Sequence, residues 1–340
     1  MAKSLYPEYT PEEIDRIVRE TAEYNQGGLA ASRPPFCDRL AGRRFTLRYD
    51  GGAAHEYDFA DAHRLQWRDC AGGAGGASSA SGAGGANSAD VAGGTGNAGA
   101  AEGTGGAGGA GGASGTGSAS GAGGELHSEY YEALEADDGV ILLVHTLSGT
   151  SPQEARMVTL ELGTGLATAF FARIGNEVSA REVDRDIAFG YIDDGSGAPA
   201  PEARHGLTTE LVGRSIVWTY SPQFSIQHIY ASKWYSAFVD FNTFYGGMLL
   251  SSPCNYVKIS DHVYIYSWVE TEGAGVQGFA LMNLHSMHDV GCFFGINGSG
   301  KFECYTFGAV GEYVGQLANF DLPNDQRADY PWPPARGETA

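Results

Sequence analysis

The chain has 340 residues, room for one large or two medium domains, and a formal net charge of −20 from 21 Lys and Arg against 41 Asp and Glu. That acidity, with no local cluster of basic residues, opposes attraction to nucleic-acid phosphates and anionic lipid, so neither nucleic acid nor membrane is expected as a partner. The first residues, Met1-Ala-Lys-Ser-Leu-Tyr-Pro-Glu8, contain no apolar run of signal-peptide length, and no stretch reaches the roughly 18 apolar residues of a membrane span, so a cytoplasmic protein is expected.

Thr10-Pro11-Glu12-Glu13 supplies a cap, a first-turn proline and a glutamate at the third helical position, and Ile14, Ile17, Val18, Thr21 and Tyr24 follow at helical spacing. One short amphipathic helix therefore opens the chain, and Gly27-Gly28 stops it. Phe45 to Tyr49 reads as a strand that turns at Asp50-Gly51-Gly52 and returns through His55 to Phe59, a hairpin. From Ala71 to Gly124 the sequence is almost all Gly, Ala, Ser and Thr, with too few large apolar side chains to offset the entropy of ordering it, and is expected to be disordered. A phosphate-loop reading of those glycines fails for want of a lysine and of a flanking strand and helix.

Beyond the tract, Val140 to Thr146, Met157 to Leu162, Leu166 to Ile174 and Ile187 to Ile192 read as strands, and Asp193-Asp-Gly-Ser-Gly-Ala-Pro-Ala-Pro as a linker. The second half holds strand-like runs at Ile216 to Tyr220, Ile226 to Tyr230, Ser236 to Phe241, Tyr256 to Ile259, Val263 to Val269, Val276 to Leu284, Gly291 to Gly295 and Phe302 to Phe307. No helical pattern separates them, which predicts antiparallel strands sufficient to close a small barrel. The stretch Gly295-Ile-Asn-Gly-Ser-Gly300-Lys301-Phe302 approaches phosphate-loop spacing but has Phe302 at the magnesium-binding position and a strand in place of a helix; Asn297-Gly298 is better read as a hairpin turn. Cys37, Cys70, Cys254, Cys292 and Cys304 are odd in number with no C-x-x-C pair, so they read as reduced thiols, and no metal site or cofactor is expected.

The two halves repeat. Leu40-Ala-Gly42-Arg43 with Tyr49 lies 171 positions before Leu211-Val-Gly213-Arg214 with Tyr220; Val140 lies 123 before Val263, and Phe170-Phe171 lies 123 before Phe293-Phe294. The offsets differ by 48, close to the 54 residues of the Gly-rich tract, which is therefore an insertion within the first repeat. The expected organisation is a helix and lead-in over 1–39, a first barrel over 40–192 interrupted at 71–124, a linker over 193–209, a second barrel over 210–322 and a tail over 323–340.

Along His262 to Glu270 the period-two alternation of a strand puts Tyr264, Tyr266, Trp268 and Glu270 on one face. Their counterparts in the first repeat are Ile141, Leu143, His145 and Leu147, so the barrel itself does not require aromatics and an acid there, and a site of this type is placed in the second domain. Trp218 and Tyr220 share a face of one strand, and His228 and Tyr230 share a face of the next. Together these side chains put hydrogen-bonding tips on an aromatic lining, suited to a small, flat, partly polar ligand, while a packed aromatic core is the alternative. Burial of Glu270 would raise its pKa and suit it to proton transfer; at a strand end it would instead face solvent. His262, His285 and His288 lie near turns and read as surface residues, and no Gly-x-Ser-x-Gly elbow marks a nucleophile.

Leu211-Val-Gly-Arg with Trp218-Thr-Tyr220, His228-Ile-Tyr230, Val263-Tyr-Ile-Tyr-Ser-Trp-Val-Glu270 and Gly308-Ala309 resemble the C-terminal domain of the molybdenum cofactor biosynthesis protein F family, MoaF. Leu40 to Phe59 with Gly139 to Ile174 is similar to that family's N-terminal domain. The resemblance implies a mainly β protein of two antiparallel lipocalin-like (calycin-type) β-barrels in tandem, associated with molybdenum cofactor production or molybdoenzyme regulons. Trp218-Thr-Tyr220 with Tyr264-Ile-Tyr-Ser-Trp-Val-Glu270 is more distantly similar to the phenolic acid decarboxylases, single lipocalin-like barrels that need no cofactor. In that family two tyrosines and an arginine hold the substrate and the strand-ending glutamate moves the proton. Tyr220 and Glu270 match; Trp218 replaces the other tyrosine, and Gly247 to Cys254 has no arginine, so the bidentate clamp on a substrate carboxylate is missing.

Three readings follow: an accessory protein binding a small aromatic or heterocyclic molecule through Trp218, His228, Tyr230, Tyr264, Tyr266 and Trp268; a cofactor-independent lyase, isomerase or decarboxylase with Glu270 as general acid/base and Tyr220 and Tyr266 orienting the substrate; and a structural or assembly protein with filled barrels. The residues leave open whether any reaction is catalysed.

Overall fold

The computed structural model describes residues 9–24, 28–70, 124–149, 153–175, 181–241, 247–270, 275–297 and 300–316. The helix α1 (Pro11–Tyr24) starts as its sequence dictates: the Glu13 N–H donates to the Thr10 hydroxyl at 3.3 Å, and the Thr10 N–H donates to the Glu13 carboxylate at 2.8 Å. Its buried face, Ile14 and Val18, packs on strands of both barrels.

The first barrel consists of β1 (Arg44–Tyr49), β2 (Ala54–Phe59), β3 (Arg64–Asp69), β4 (His127–Asp137), β5 (Val140–Leu147), β6 (Glu154–Glu161), β7 (Leu166–Ile174) and β8 (Val183–Asp193). Each strand pairs antiparallel with the next, and β8 closes on β1. After the two-residue strand β9 (Gly206–Leu207), the second barrel repeats the plan with β10 (Arg214–Ser221), β11 (Phe224–Ile229), β12 (Tyr235–Asp240), β13 (Leu249–Lys258), β14 (Val263–Val269), β15 (Val276–Asn283), β16 (His288–Ile296) and β17 (Phe302–Gln316). Here β17 closes on β10, and β9 adds to the edge of β13. The protein is thus mainly β, two up-and-down antiparallel eight-stranded barrels in tandem behind one short helix.

Two strands of the first barrel, β3 and β4, escape the sequence reading. Arg64 to Asp69 has only Leu65 and Trp67 as apolar residues, and His127 to Asp137 is acidic and abuts the Gly-rich tract. The repeat also needs one correction. Arg156 opposes Phe171 across β6 and β7, and Gly278 opposes Phe293 across β15 and β16, while His145 and Trp268 oppose Arg156 and Gly278 on the preceding strands. Phe171, not Phe170, therefore corresponds to Phe293, an offset of 122, because the β14–β15 connection is one residue shorter. One residue of slip exchanges the two faces of a strand: Phe293 lines the second barrel's interior, whereas Phe170 faces outward.

The outward faces of the two barrels pack on each other. Leu142, Val144, Met157 and Phe170 of the first barrel meet Ile265, Phe279, Leu281 and Phe294 of the second in one apolar cluster, with the Phe170 and Phe279 rings edge-on at 5.1 Å. A buried carboxyl crosses this contact. The Thr306 hydroxyl donates to Glu132 Oε2 at 2.6 Å, the Tyr130 hydroxyl donates to Oε1 at 3.0 Å, and Arg33 donates to the Thr306 hydroxyl at 2.9 Å. The supposed linker is also docked. His205 is buried against β7, its Nδ1 2.9 Å from the Thr168 hydroxyl and its Nε2 3.3 Å from the Glu161 carboxylate, and the next two residues pair with β13.

Among the described residues, no helix is long and apolar enough to cross a membrane. The tract expected to be disordered lies outside the described residues except for Gly124. Its ends do not: the Gly124 N–H donates to the Asp69 carbonyl at 2.9 Å, so the chain leaves and rejoins the barrel at one place. Replacing 71–123 with a short turn should preserve cooperative urea unfolding and leave stability unchanged or higher by up to about 2 kcal/mol, the loop-closure entropy recovered; loss of a single transition would contradict an insertion.

Candidate functional site

The inner faces of β10, β11 and β14 gather the aromatic residues predicted from the sequence, against β13 and β17. Trp218 is fully buried and donates its indole N–H to the Tyr230 hydroxyl at 3.1 Å, which in turn donates to Met282 Sδ at 3.1 Å. The large indole fits because β17 presents Gly311 to it, where an added Cβ would come within 2.6 Å of the ring. Tyr220 stands edge-on to Phe307 and Phe224 at 5.5 and 6.0 Å. Tyr266 stacks on Trp268 at 4.6 Å, and its hydroxyl lies 2.6 Å from that of Ser236. His228 packs against both rings at 5.2 and 5.7 Å. Trp268 takes its position because β15 offers Gly278 opposite, where any side chain would collide with the indole.

These side chains are nearly all without solvent contact, so the middle of the barrel is a filled aromatic core. Polarity concentrates toward the ends. Tyr264 and Glu270 belong to one face of the β14 segment but lie six residues, roughly 20 Å, apart. The Tyr264 hydroxyl donates to Glu210 Oε2 at 2.7 Å, beside Lys258, and so faces the opposite end from Glu270. Glu270 ends the strand. Burial, and then the repulsion of Glu303, push its carboxyl up to about 7, while attraction to the Trp268 indole N–H works against the rise. That N–H falls short of a formed hydrogen bond and is one of several buried polar atoms here without a partner, with His228 Nδ1 and the Tyr256 hydroxyl. Burial takes the His228 imidazole down to about 3, so it is neutral at physiological pH. Glu303 is raised as well, by burial, against a hydrogen bond from Asn297 at 3.0 Å.

The chemistry available at this end is a pair of carboxyls that share a reluctance to ionise, with a free indole donor and tyrosine rings behind them. Glu270 and Tyr220 do not hydrogen-bond to each other. Tyr266 and Tyr305 each feel the Glu270 charge, and each contributes to the field at Tyr220. Among the described residues no group of three or more His, Cys, Asp or Glu is placed to hold a metal ion, and all five cysteines are free thiols.

Sequence reasoning missed Glu303, Tyr305 and Asp289. The alternation of β16 and β17 would have found all three, once their inner faces were known from Phe293 and Phe307. Asp289 is the more deeply buried of the two acids: neither carboxylate oxygen makes a hydrogen bond, and burial pushes the group up to about 7, with the neighbouring Ala309 amide opposing the rise. At the corresponding place in the first barrel, His145 lies 3.2 Å from the Tyr57 hydroxyl, a distinctly polar end.

Residues 205–317 match the model of the MoaF C-terminal domain, and residues 26–87 match that of the MoaF N-terminal domain. Among curated proteins, Protein MoaF of Klebsiella aerogenes is 28% identical over 142 residues, 42% of this chain and 50% of that protein; the chain thus spans about half the length of the relative it matches. A solved chain from Burkholderia vietnamiensis, described provisionally as a beta-lactamase, aligns with 11% identity and a TM-score of 0.27 over 32% of this chain and 98% of that one, too slight an agreement to carry an argument.

Because the folded-state pKa of Asp289 lies above its unfolded value, the native state binds the extra proton, and stability falls as pH rises from about 4 to about 7. Asp289→Asn should flatten that window and raise stability at pH 8 by roughly 1–3 kcal/mol, the penalty of an unpaired buried charge. Urea unfolding at pH 5 and pH 8 measures it, and an unchanged pH dependence would contradict the burial argument.

Proposed function

Because the chain belongs to the MoaF family, both of whose domains it carries, we propose that it is a cytoplasmic accessory protein of molybdenum cofactor biosynthesis or molybdoenzyme metabolism, binding a small aromatic or heterocyclic molecule at the Glu270 end of the second barrel. The observation that carries this reading is the set of buried polar atoms without partners, the Trp268 N–H and His228 Nδ1, set in an aromatic wall beside a carboxyl held near neutrality. Folded proteins rarely leave such groups unsatisfied, and a planar ligand with a donor and an acceptor on its rim would answer them. Tyr266 and Trp268 would stack against its face, Trp218, Tyr220 and Tyr230 would form the floor, and Tyr264, tied to Glu210 at the far end, would support the floor from below.

A second reading has its own observation. Two carboxyls raised together, Glu270 to about 7, are suited to exchanging a proton at neutral pH, which favours a cofactor-independent lyase or isomerase with Glu270 as acid or base and Tyr220 and Tyr266 as orienting groups. The filled middle of the barrel supports the structural alternative.

Native mass spectrometry of the full chain, looking for a retained small molecule, separates the three. For an accessory protein the wild type retains a ligand without converting it, and Glu270→Gln weakens retention by about tenfold or more, the worth of a hydrogen bond to a charged group. Retention by Glu270→Gln with loss of product formation identifies the enzyme. If neither form holds a ligand after purification or incubation with aromatic candidates, the binding reading fails and the filled-barrel reading stands.

A further inference from the structure

The first barrel holds an inward-pointing cation that makes no close ion pair among the described residues. Arg156 projects from β6 into the interior with 8% of its surface exposed, its guanidinium 3.8 Å from the centre of the Trp67 ring and 5.6 Å from that of Phe171. Among the described residues its one hydrogen bond runs from Nη1 to the Tyr57 hydroxyl at 3.3 Å, and it enters no ion pair. A guanidinium with its face on an aromatic ring keeps its N–H edge available to an anion.

The surroundings have the same incompleteness. His145 Nδ1, His55 Nδ1 and the Tyr49 hydroxyl, on β5, β2 and β1, are buried polar atoms without partners. Tyr57 joins two parts of the group, since its hydroxyl also lies 3.2 Å from His145 Nε2. Tyr49, Phe171 and Trp67 stand edge-on around His55 with ring centres 5.3 to 6.0 Å from it. Burial, then the Arg156 charge, take both imidazoles well below their ordinary range, His55 to about 3, which leaves Arg156 as the cation of the group.

The acids of the region are poor counter-ions. Glu129 turns both oxygens to the Ser148 N–H at 3.1 Å, Asp69 stands at the rim 3.3 Å from His55, and burial raises Glu129 and Glu154 above the usual carboxylate range, with the Arg156 charge opposing the rise in both. Access is short, because the Asp69 side chain at the same end is 67% exposed. A dianion would meet one cation among three acids, whereas a single negative charge matches the guanidinium. The second barrel cannot do this: at the place of Arg156 it has Gly278, and at the place of His145 the indole of Trp268, which fills the space.

We propose that the first barrel binds a small aromatic monocarboxylate, its carboxylate on the free edge of the Arg156 guanidinium and its ring against Tyr49 and Phe171. The site is separate from the Glu270 end of the second barrel, and neither depends on the other. The test follows the Arg156 Nε–H resonance of the full chain labelled with 15N-arginine, with benzoate as the probe and benzamide and inorganic phosphate as parallel arms. Benzoate should shift that resonance saturably with a Kd below about 1 mM, and benzamide and phosphate should bind at least about tenfold more weakly. Calorimetry on variants should show benzoate binding lost in Arg156→Gln and reduced about three- to tenfold in the milder Tyr57→Phe. No saturable shift up to about 10 mM benzoate, equal binding of benzamide, preferred binding of phosphate, or a Tyr57→Phe affinity equal to wild type would each overturn the proposal.

Discussion

The contact between the outward faces of the two barrels is the constraint from which most of the chain's character follows. A barrel strand whose outer face met water would alternate apolar and polar residues, but β5 and β15 are buried along their whole length because one face lines a barrel and the other the contact between barrels. Hence runs such as Val140 to Val144 and Phe279 to Met282, which no solvated sheet would tolerate. Glu132 survives inside that contact only because Thr306, Tyr130 and, through Thr306, Arg33 satisfy its oxygens. The helix serves the same contact, its Ile14 and Val18 covering strands of both barrels.

Within that common frame the two interiors have diverged where one strand pair faces another. His145 and Arg156 in the first barrel correspond to Trp268 and Gly278 in the second. The exchange is reciprocal in volume: a long cation with a small ring in one, a large ring against no side chain in the other. It is also an exchange of chemistry, since the first barrel keeps a fixed positive charge and neutral imidazoles, while the second collects carboxyls that burial holds near neutrality. Two barrels of one plan thus have interiors of different electrostatic character.

Much of the fold was legible in the residues. The capping box, the hairpins and all eight strands of the second barrel carry local signals that packing reinforces, and the Gly-rich tract betrays its insertion by the change in repeat offset. Strand β3 was hidden because charged residues occupy its outer positions and β4 because acids stand on both of its faces, Glu129 inward and Glu132 outward, and the Phe170 register was off by one because two adjacent phenylalanines cannot reveal which of them faces in. The aromatic wall around Glu270 was readable from alternation, and the comparison with Ile141, Leu143 and His145 in the first repeat singled it out. Arg156 was not: a single arginine in Glu154 to Glu161 looks like an outward charge, and only the closure of the barrel, which puts Tyr57 and Trp67 across from it, shows that it points inward. Asp289 was concealed in the same way by its exposed neighbour His288.

The three residues from His205 to Leu207 fasten the chain to both barrels in succession, the imidazole to Thr168 and Glu161 and the backbone of the next two residues to β13. The covalent connection from Asp194 to Arg204 is therefore not what keeps the halves in register. A chain nicked within it would still carry the second barrel together with the short strap that seats it on the first, and the pair would behave as a heterodimer with a preformed interface. Duplication within one polypeptide here yields, in effect, a permanent dimer whose subunits were free to specialise because neither had to remain self-complementary.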